Sequence, residues 1–567
     1  MKNIKKLTQA ILLTLGFLFV AGSVNAQVIQ PHFFGQNAWM PDTVGTRLLG
    51  GKLHKQWGKV KDSKATLIRV GGIAPDRDKP TNFQYIKMID SIRAKGMEPV
   101  IQVSFHNWKY TAQQAADLVQ YINVTKGKNI KYWSIGNEPD LEYGFTTASQ
   151  VAGYIKPFAS AMKAVDPSII TIGPETAWFN QGIMDGLTTP NGPNDITGKD
   201  AAGRYYIDII SFHTYPFNGT QTREQVISKL SATNGLKENL AYLNNRLASC
   251  NSAHGRTGAA TLKVAVTEAN VNYKNSTSDN LQGVGVNSFL GGQFIAELMS
   301  VGMKQGVEFM NIWSVVEGNS TELNIGYIDP WTGKKKPAYY HFKMVAENFK
   351  GNFLSGTTNQ GNVKAFGSQN SQNITVMILN QDLTNNFNYT VRLNSSAINT
   401  SSTLKINVNA GIAMEHSDVI PAQSTVLLTF NAQGTLIKKT EYTMSGHAAS
   451  DLPPVTTQLG GSITTGVNDN ASDEVSMKGF KMNVFPNPAN SKFTIELDRK
   501  NIHEIKFEIE LFDLMGRLVY TKTSIFPERH QVIDLSGNSI AEAVYIVRVR
   551  EKGDKDNTRS EKIIIFK

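Results

Sequence analysis

Short apolar runs alternate with longer amphipathic stretches along the first 350 residues of the chain. Runs suited to buried strands lie at Phe33–Gln36, Thr66–Val70, Glu98–Val103, Lys131–Ile135, Ile169–Gly173, Ile207–Phe212, Leu262–Thr267 and Phe309–Trp313. Between them, apolar residues recur at helical spacing, as in Phe83, Ile86, Ile89 and Ile92, or Ala115, Leu118, Val119 and Ile122. Side chains three and four apart share one helix face, so these stretches predict helices laid against the strands. Lys95-Gly96 and Asp166-Pro167 stop two of them just before a strand begins. Eight such repeats between residues 27 and 350 predict a closed parallel (β/α)8 barrel, the TIM barrel. An open doubly wound sheet also alternates in this way, but no glycine-rich phosphate loop follows the first run.

Past residue 350 the pattern shortens to two-residue alternation, at Val363–Phe366, Asn373–Leu379, Asn388–Leu393, Leu404–Val408 and Ser424–Phe430. Asn, Ser, Thr and Gly fill the gaps, which predicts an antiparallel β-sandwich over 351–431, packed on the barrel, with Val28–His32 as an added strand. Residues 432–477 are polar and carry Pro453-Pro454 and Gly460-Gly461, the composition of a linker. A last all-β unit is expected over 478–567, with strands near Met482–Phe485, Lys492–Leu497, Lys506–Phe512, Ala543–Val549 and Lys562–Phe566.

Composition narrows the class. The chain has 567 residues, 41% hydrophobic and 18% charged, which fits a globular protein of several domains. Its net charge of +10 comes from scattered basic residues without a long basic block, so no nucleic-acid partner is expected. Lys2, Lys5 and Lys6, the apolar stretch Ile11–Val20 and the small residues Val24-Asn25-Ala26 make residues 1–26 a secretory signal peptide. The single cysteine, Cys250, permits no intrachain disulfide and is expected to be an inert helix residue. The mature chain is expected to act as a monomer.

Two predicted strands end in a carboxylate. Trp133-Ser134-Ile135-Gly136-Asn137-Glu138-Pro139 closes the fourth, and Val264-Ala265-Val266-Thr267-Glu268 closes the seventh. A parallel barrel brings all its strand C-termini to one face, where two acids distant in sequence can meet. Such a pair suits glycoside hydrolysis: one carboxyl protonates the leaving oxygen while the other, ionised, attacks the anomeric carbon or activates water. Glu175, ending the fifth strand, is the rival to Glu268. Trp39, Trp108, Trp178 and Trp313 fall at or just after strands, where indole faces can stack on sugar rings, whereas Trp57 and Trp133 belong to the core. No histidine, His106 and His213 included, has metal-ligand spacing, so neither a metal nor another cofactor is expected. An arginine or lysine pair in the cleft would favour uronic acids.

The segment from about 27 to 430, with Asn137-Glu138-Pro139 on the fourth strand and Glu268 on the seventh, resembles the retaining (β/α)8 glycoside hydrolases of clan A. The run Trp133 to Leu141 is most similar to the branches holding heparanase-like glucuronidases, β-xylosidases and arabinofuranosidases, and Ile68-Arg69-Val70-Gly71-Gly72 is similar to some endoglucanases. The resemblance implies Glu138 as general acid/base, Glu268 as nucleophile and Asn137 as partner of a sugar 2-hydroxyl. It further implies Arg69 bracing the nucleophile, Tyr215 near it, His213 near the sugar and Trp313 flooring the cleavage subsite. Trp108 and Trp178 are expected to bind substrate from the rim.

Asn483-Val484-Phe485-Pro486-Asn487-Pro488-Ala489, Leu511-Phe512-Asp513-Leu514-Met515-Gly516-Arg517, Val544-Tyr545-Ile546-Val547 and the basic, apolar end Lys562–Lys567 occur in that order. They resemble the C-terminal sorting domain of type IX secretion substrates, which implies contact with that machinery and a place outside the cell or on its outer-membrane surface. The expected function is a secreted retaining glycosidase acting on an extracellular polysaccharide; a catalytically inactive surface glycan-binding protein is the alternative.

Overall fold

The computed structural model describes residues 27–39, 53–233, 235–317, 324–394, 404–459, 481–485, 489–498, 505–513, 517–525, 530–538, 540–552 and 558–565. The expected signal peptide, residues 1–26, lies outside the described residues. Two compact units divide near residue 462.

The first unit opens with eight parallel strands: β1 (Phe34–Ala38), β2 (Leu67–Val70), β3 (Glu98–Val103), β4 (Tyr132–Ile135), β5 (Ile170–Thr176), β6 (Ile209–Thr214), β7 (Lys263–Ala269) and β8 (Met310–Ile312). β8 pairs back onto β1, closing the barrel. Successive strand residues point to opposite faces, so one strand contributes alternate residues to the barrel interior. Leu67, Val100, Tyr132, Ile172, Ile209, Ala265 and Phe309 form an apolar layer of their own inside. Two residues further along the same strands stand Arg69, Gln102, Ser134, Ser211, Thr267 and Asn311, all buried and polar. The interior thus changes from apolar to polar towards the strand C-termini, which prepares one end of the barrel for chemistry.

Four outer helices start alike. Thr81, Thr111, Thr147 and Thr222 each accept the backbone N–H of a glutamine three residues on, and that glutamine side chain reaches back to the threonine N–H. Each cap is worth about 1 kcal/mol to its helix. In the helix Asn82–Arg93 the buried stripe is Tyr85, Met88, Ile89 and Ile92. Phe83, expected in that stripe, is exposed, because it lies two residues from Tyr85 and so on the opposite side of the helix.

Nine strands follow: β9 (Asn352–Thr358), β10 (Val363–Gln369), β11 (Asn373–Asn380), β12 (Phe387–Arg392), β13 (Leu404–Val408), β14 (Glu415–Ile420), β15 (Ser424–Asn431), β16 (Leu436–Thr443) and β17 (Val455–Gln458). They form one sheet, in the order β14-β12-β13-β9-β10-β11-β15-β16-β17. Val376, Ile378, Val426 and Leu428 of one half bury against Tyr389, Val391, Leu404 and Ile406 of the other. The pairing departs from the expected antiparallel sandwich at one place, where β12 and β13 run parallel. The expected linker at 432–477 is corrected as far as residue 459, because β16 and β17 extend the sheet there; its remainder, 460–477, lies outside the described residues. β16 is half-buried along most of its length and β17, the sheet edge, is exposed throughout, so both lack the apolar alternation that marks a strand in sequence. Met377, Leu427 and Tyr442 on the opposite face join the barrel's core, where Phe289 and Tyr442 rings stand 5.0 Å apart. Val28 adds a single antiparallel bridge to Asn352.

The second unit has two antiparallel sheets built from β18 (Lys481–Phe485), β19 (Lys492–Asp498), β20 (Lys506–Asp513), β21 (Leu518–Ile525), β22 (His530–Asp534), β23 (Ala543–Glu551) and β24 (Thr558–Ile565). Their orders are β18-β19-β22 and β21-β20-β23-β24, around a core that includes Phe493, Phe507, Ile509 and Val547. β21 and β22 were not anticipated; both are edge strands with mostly exposed side chains, so their sequences carry little alternation.

Candidate active site

β4 ends at Ile135, and the chain turns through Gly136 and Asn137 into Glu138, which adopts a left-handed backbone (φ 41°) before Pro139 starts a short helix. β5 ends with the same device, Glu175 at φ 59°, and the Glu138 N–H donates to the Glu175 carbonyl at 2.8 Å. A non-glycine residue tolerates this conformation only at a cost, and such residues concentrate at functional sites. Glu268 sits near the end of β7 beside His213 of β6, at a register shift between the two strands.

Arg69 organises the interior. Its Nη1 donates to Glu268 Oε1 (2.8 Å) and Asn37 Oδ1 (3.1 Å). Its Nη2 donates to Glu175 Oε2 (3.0 Å), Asn137 Oδ1 (3.0 Å) and Gln102 Oε1 (3.1 Å). Room for this fork comes from Gly71, where a Cβ would lie 2.8 Å from the guanidinium carbon. Burial works against the Arg69 charge, but Glu175 and Glu268 overcome it and raise its pKa.

His213 is fully buried and faces acceptors with both ring nitrogens: Nδ1 lies 2.8 Å from Glu138 Oε1 and Nε2 lies 3.1 Å from Glu175 Oε2. Both oxygens can accept, Glu138 Oε1 even while the other oxygen of its carboxyl carries a proton, so a doubly protonated ring, an imidazolium, satisfies both sides. Burial alone would depress its pKa; Glu268, Glu138 and Glu175 together bring it up to about 10. Glu175 is held below the usual carboxylate range, burial being outweighed by Arg69 and then His213. Glu268 is raised by burial, with His213 and Arg69 opposing and Glu138 adding to the rise. The Tyr215 hydroxyl donates to Glu268 Oε2 at 2.8 Å, so each carboxylate oxygen of Glu268 has one donor.

Single ligating atoms of Glu138, His213 and Glu268 all lie within 4.8 Å of one another. Strands far apart in sequence create that cluster, so histidine spacing along the chain gave no sign of it. Two protein cations, Arg69 and His213, already balance these acids, which leaves little attraction for a metal ion.

Glu138 and Glu268 line a cavity of about 540 Å³. Asn137, Tyr215, Trp178 and Trp313 line it too. The Trp313 ring lies against Gly72, where a Cβ would come within 2.5 Å of it and where φ is 98°. Trp313 Nε1 donates to Glu317, and the indole meets Trp39 edge-on at 5.1 Å. Arg69 and His213 stand behind this lining and reach the cavity through the groups they hold. Glu175, the rival nucleophile, is fully buried and outside the lining.

One expectation is corrected. Trp108 does not line the cavity: it is 57% exposed on the loop after β3, edge-on to Phe105. His106 on the same loop is outside as well, near the Tyr143 hydroxyl. The turn there places three consecutive residues, His106 to Trp108, in the left-handed region and so carries the indole away from the cavity. Sequence reasoning missed Glu142, Tyr273 and Glu317 in the lining. Glu317, four residues after Trp313, is 1% exposed, and burial pushes its carboxyl up to about 8 against the Trp313 N–H. Trp57, Trp133 and Cys250 are buried away from this lining, Cys250 on the helix Leu236–Ala253. A larger hollow of about 880 Å³ lies between the helix Arg223–Lys229 and the sheet and holds none of these acids.

Among solved structures, the chain is similar to a bifunctional glucanase-xylanase from a metagenome library, at 17% identity over 71% of this chain and 97% of that one (TM-score 0.48). A monomeric β-xylosidase from Caulobacter crescentus CB15 is similar at 16% identity over 71% and 97% (TM-score 0.47). The bacterial orthologue of human α-L-iduronidase is similar at 11% identity over 94% and 98% (TM-score 0.47). The barrel assignment rests on its own strand pairing rather than on these likenesses. No curated protein matches the chain. Residues 483–566 match the secretion system C-terminal sorting domain, so the last unit of this protein is a sorting domain that marks it for type IX secretion, to the cell surface or beyond.

Proposed function

We propose that this protein is a glycoside hydrolase that cleaves an extracellular polysaccharide with retention of anomeric configuration. The observation that carries the reading is the carboxyl pair: Glu138 and Glu268 present oxygens within 4.8 Å across one cavity at the strand C-termini. An inverting pair leaves room for a water and stands about 6.5–9.5 Å apart, whereas direct attack by a carboxylate needs about 5–5.5 Å.

Donor placement supports distinct roles. Glu268 accepts from Arg69 and Tyr215, which favours its anion and suits a nucleophile. Glu138 faces the cavity with His213 at its side. In the first step Glu138 gives its proton to the glycosidic oxygen, the bond from that oxygen to the anomeric carbon breaks, and Glu268 forms an ester to that carbon. The His213 imidazolium, 2.8 Å away, stabilises the Glu138 carboxylate left behind. In the second step Glu138 takes a proton from water, whose oxygen attacks the anomeric carbon and releases Glu268. Asn137 is placed to meet a sugar hydroxyl, Trp313 to floor the ring and Trp178 to extend the apolar rim.

The test is Glu268→Ala with azide. Turnover should vanish and return with azide as a glycosyl azide of inverted configuration. Wild-type activity in that variant would sink the assignment. A product profile across glucans, xylans, galactans, mannans and uronate polymers identifies the substrate, and binding of glycan without hydrolysis would make the protein a surface binder instead.

A further inference from the structure

Four acids line the cavity, Glu138, Glu142, Glu268 and Glu317, and among the described lining residues none is lysine or arginine. The cations that act on these acids are already engaged: buried Arg69 with Glu175 and Glu268, buried His213 with Glu138 and Glu175, Lys336 with the Asn324 carbonyl and Oδ1, and Arg77 with Asp78. We propose that the sugar entering this cavity is uncharged and that uronic acid residues are refused. The inference rests on the glycosidase reading above and adds the substrate class.

A uronate carboxylate seated here would lose its water and gain no counter-ion, so it meets a desolvation cost and the like charge of whichever lining acids are ionised, the protonated Glu317 excepted. Hydroxyl groups find the opposite. Carboxyl oxygens accept from them, and Asn137 Nδ2 is a buried donor with no protein acceptor, while its Oδ1 is taken by Arg69. Trp313 offers a flat apolar face for the C–H side of a ring, held open by the missing side chain at Gly72. Burial keeps Glu317 protonated in neutral solution, so it can donate to one hydroxyl while accepting from Trp313. Asn137, Trp313 and Glu317 thus suit a neutral polyol.

The test compares matched pairs with the full chain: xylo-, gluco- and galacto-oligosaccharides against their glucurono- and galacturono- counterparts. Calorimetry gives Kd, and aryl glycosides of both anomers give kcat/KM. A neutral member should be preferred by about a hundredfold or more, the size expected for uncompensated like charge. Equal or better handling of the uronate overturns the inference. Glu142 is exposed at the cavity wall, so Glu142→Arg should fold and supply the missing cation. The uronate-to-neutral ratio should then rise about fivefold or more; an unchanged ratio overturns the charge argument. Neutral sugars bound but not cleaved would sink the proposed reaction and keep this inference. Hydrolysis with uronates preferred does the reverse, and a chain that binds neither class loses both.

Discussion

Arg69 and Glu268 meet at 2.8 Å inside the barrel, the arginine fully buried and the glutamate side chain only 6% exposed. The contact spans two strands that are not neighbours, β2 and β7, and the same guanidinium holds four further acceptors. Arg69→Met should therefore leave buried acids unpaired and destabilise the protein by about 3–5 kcal/mol. Arg69→Lys should restore charge without the fork and recover only part of that loss. Thermal unfolding and kcat of both variants check this; a methionine variant as stable as wild type would contradict it.

His213 links stability to pH. Its ordinary value is 6.5 and its value in the fold is about 10, so its contribution is complete below about pH 6.5 and falls away as pH rises towards 10. The Tm difference between wild type and His213→Gln should shrink steadily over that window. A difference that stays constant from pH 6 to pH 10 would show that the imidazolium is absent.

Glu317 should be read in the alkaline limb. Protonated below about 8, it becomes an anion above it, next to Glu268. Sugar affinity of the wild type is expected to fall with a midpoint near that pH, and Glu317→Gln, which keeps an acceptor for Trp313, should lack the step. Lys336, which shares the field of Glu317 and is itself lowered to about 8, remains in both proteins, so their comparison isolates the carboxyl.

Gly72 should resist any side chain. A Cβ there would lie 2.5 Å from the Trp313 ring, and φ of 98° is unfavourable for other residues. Gly72→Ala is expected to cost about 1–3 kcal/mol and to raise KM more than it lowers kcat, since the platform moves while the acids stay. Tryptophan fluorescence and steady-state kinetics check it.

A chain ending at residue 459 should fold as well as the longer one, because β16 and β17 are complete within it. Ending at 431 removes both and exposes the β15 edge, where Ser424 to Phe430 pair with β16. A clear drop in Tm and new aggregation are expected for the shorter form only. Equal Tm values would restore residues 432–459 to the role of a linker.

Much of this was legible along the chain. Short apolar runs separated by stretches of helical spacing predicted the eight strands and their order, and a closed parallel barrel then has one mouth to which every strand end is delivered. Glu138 and Glu268 could be placed at that mouth from the rule, whereas Arg69, His213 and Tyr215 were expected there through the resemblance to the clan A hydrolases. The edge strands β17, β21 and β22 and their half-buried neighbour β16 were silent, because half-exposed strands carry mixed side chains and no strong alternation.

The tertiary structure decided what each strand end faces. Glu138 just after β4 and Glu175 near the end of β5 both adopt a left-handed backbone, yet one opens on the cavity and the other is sealed beneath Arg69 and His213. Trp108 leaves the cavity and Glu317 enters it, although local sequence suggests only the first as a ligand. The physical reason is that strand periodicity is a property of neighbouring residues, set by pleat and burial. The direction of a loop side chain depends instead on one or two backbone angles and on partners contributed by strands a hundred residues away.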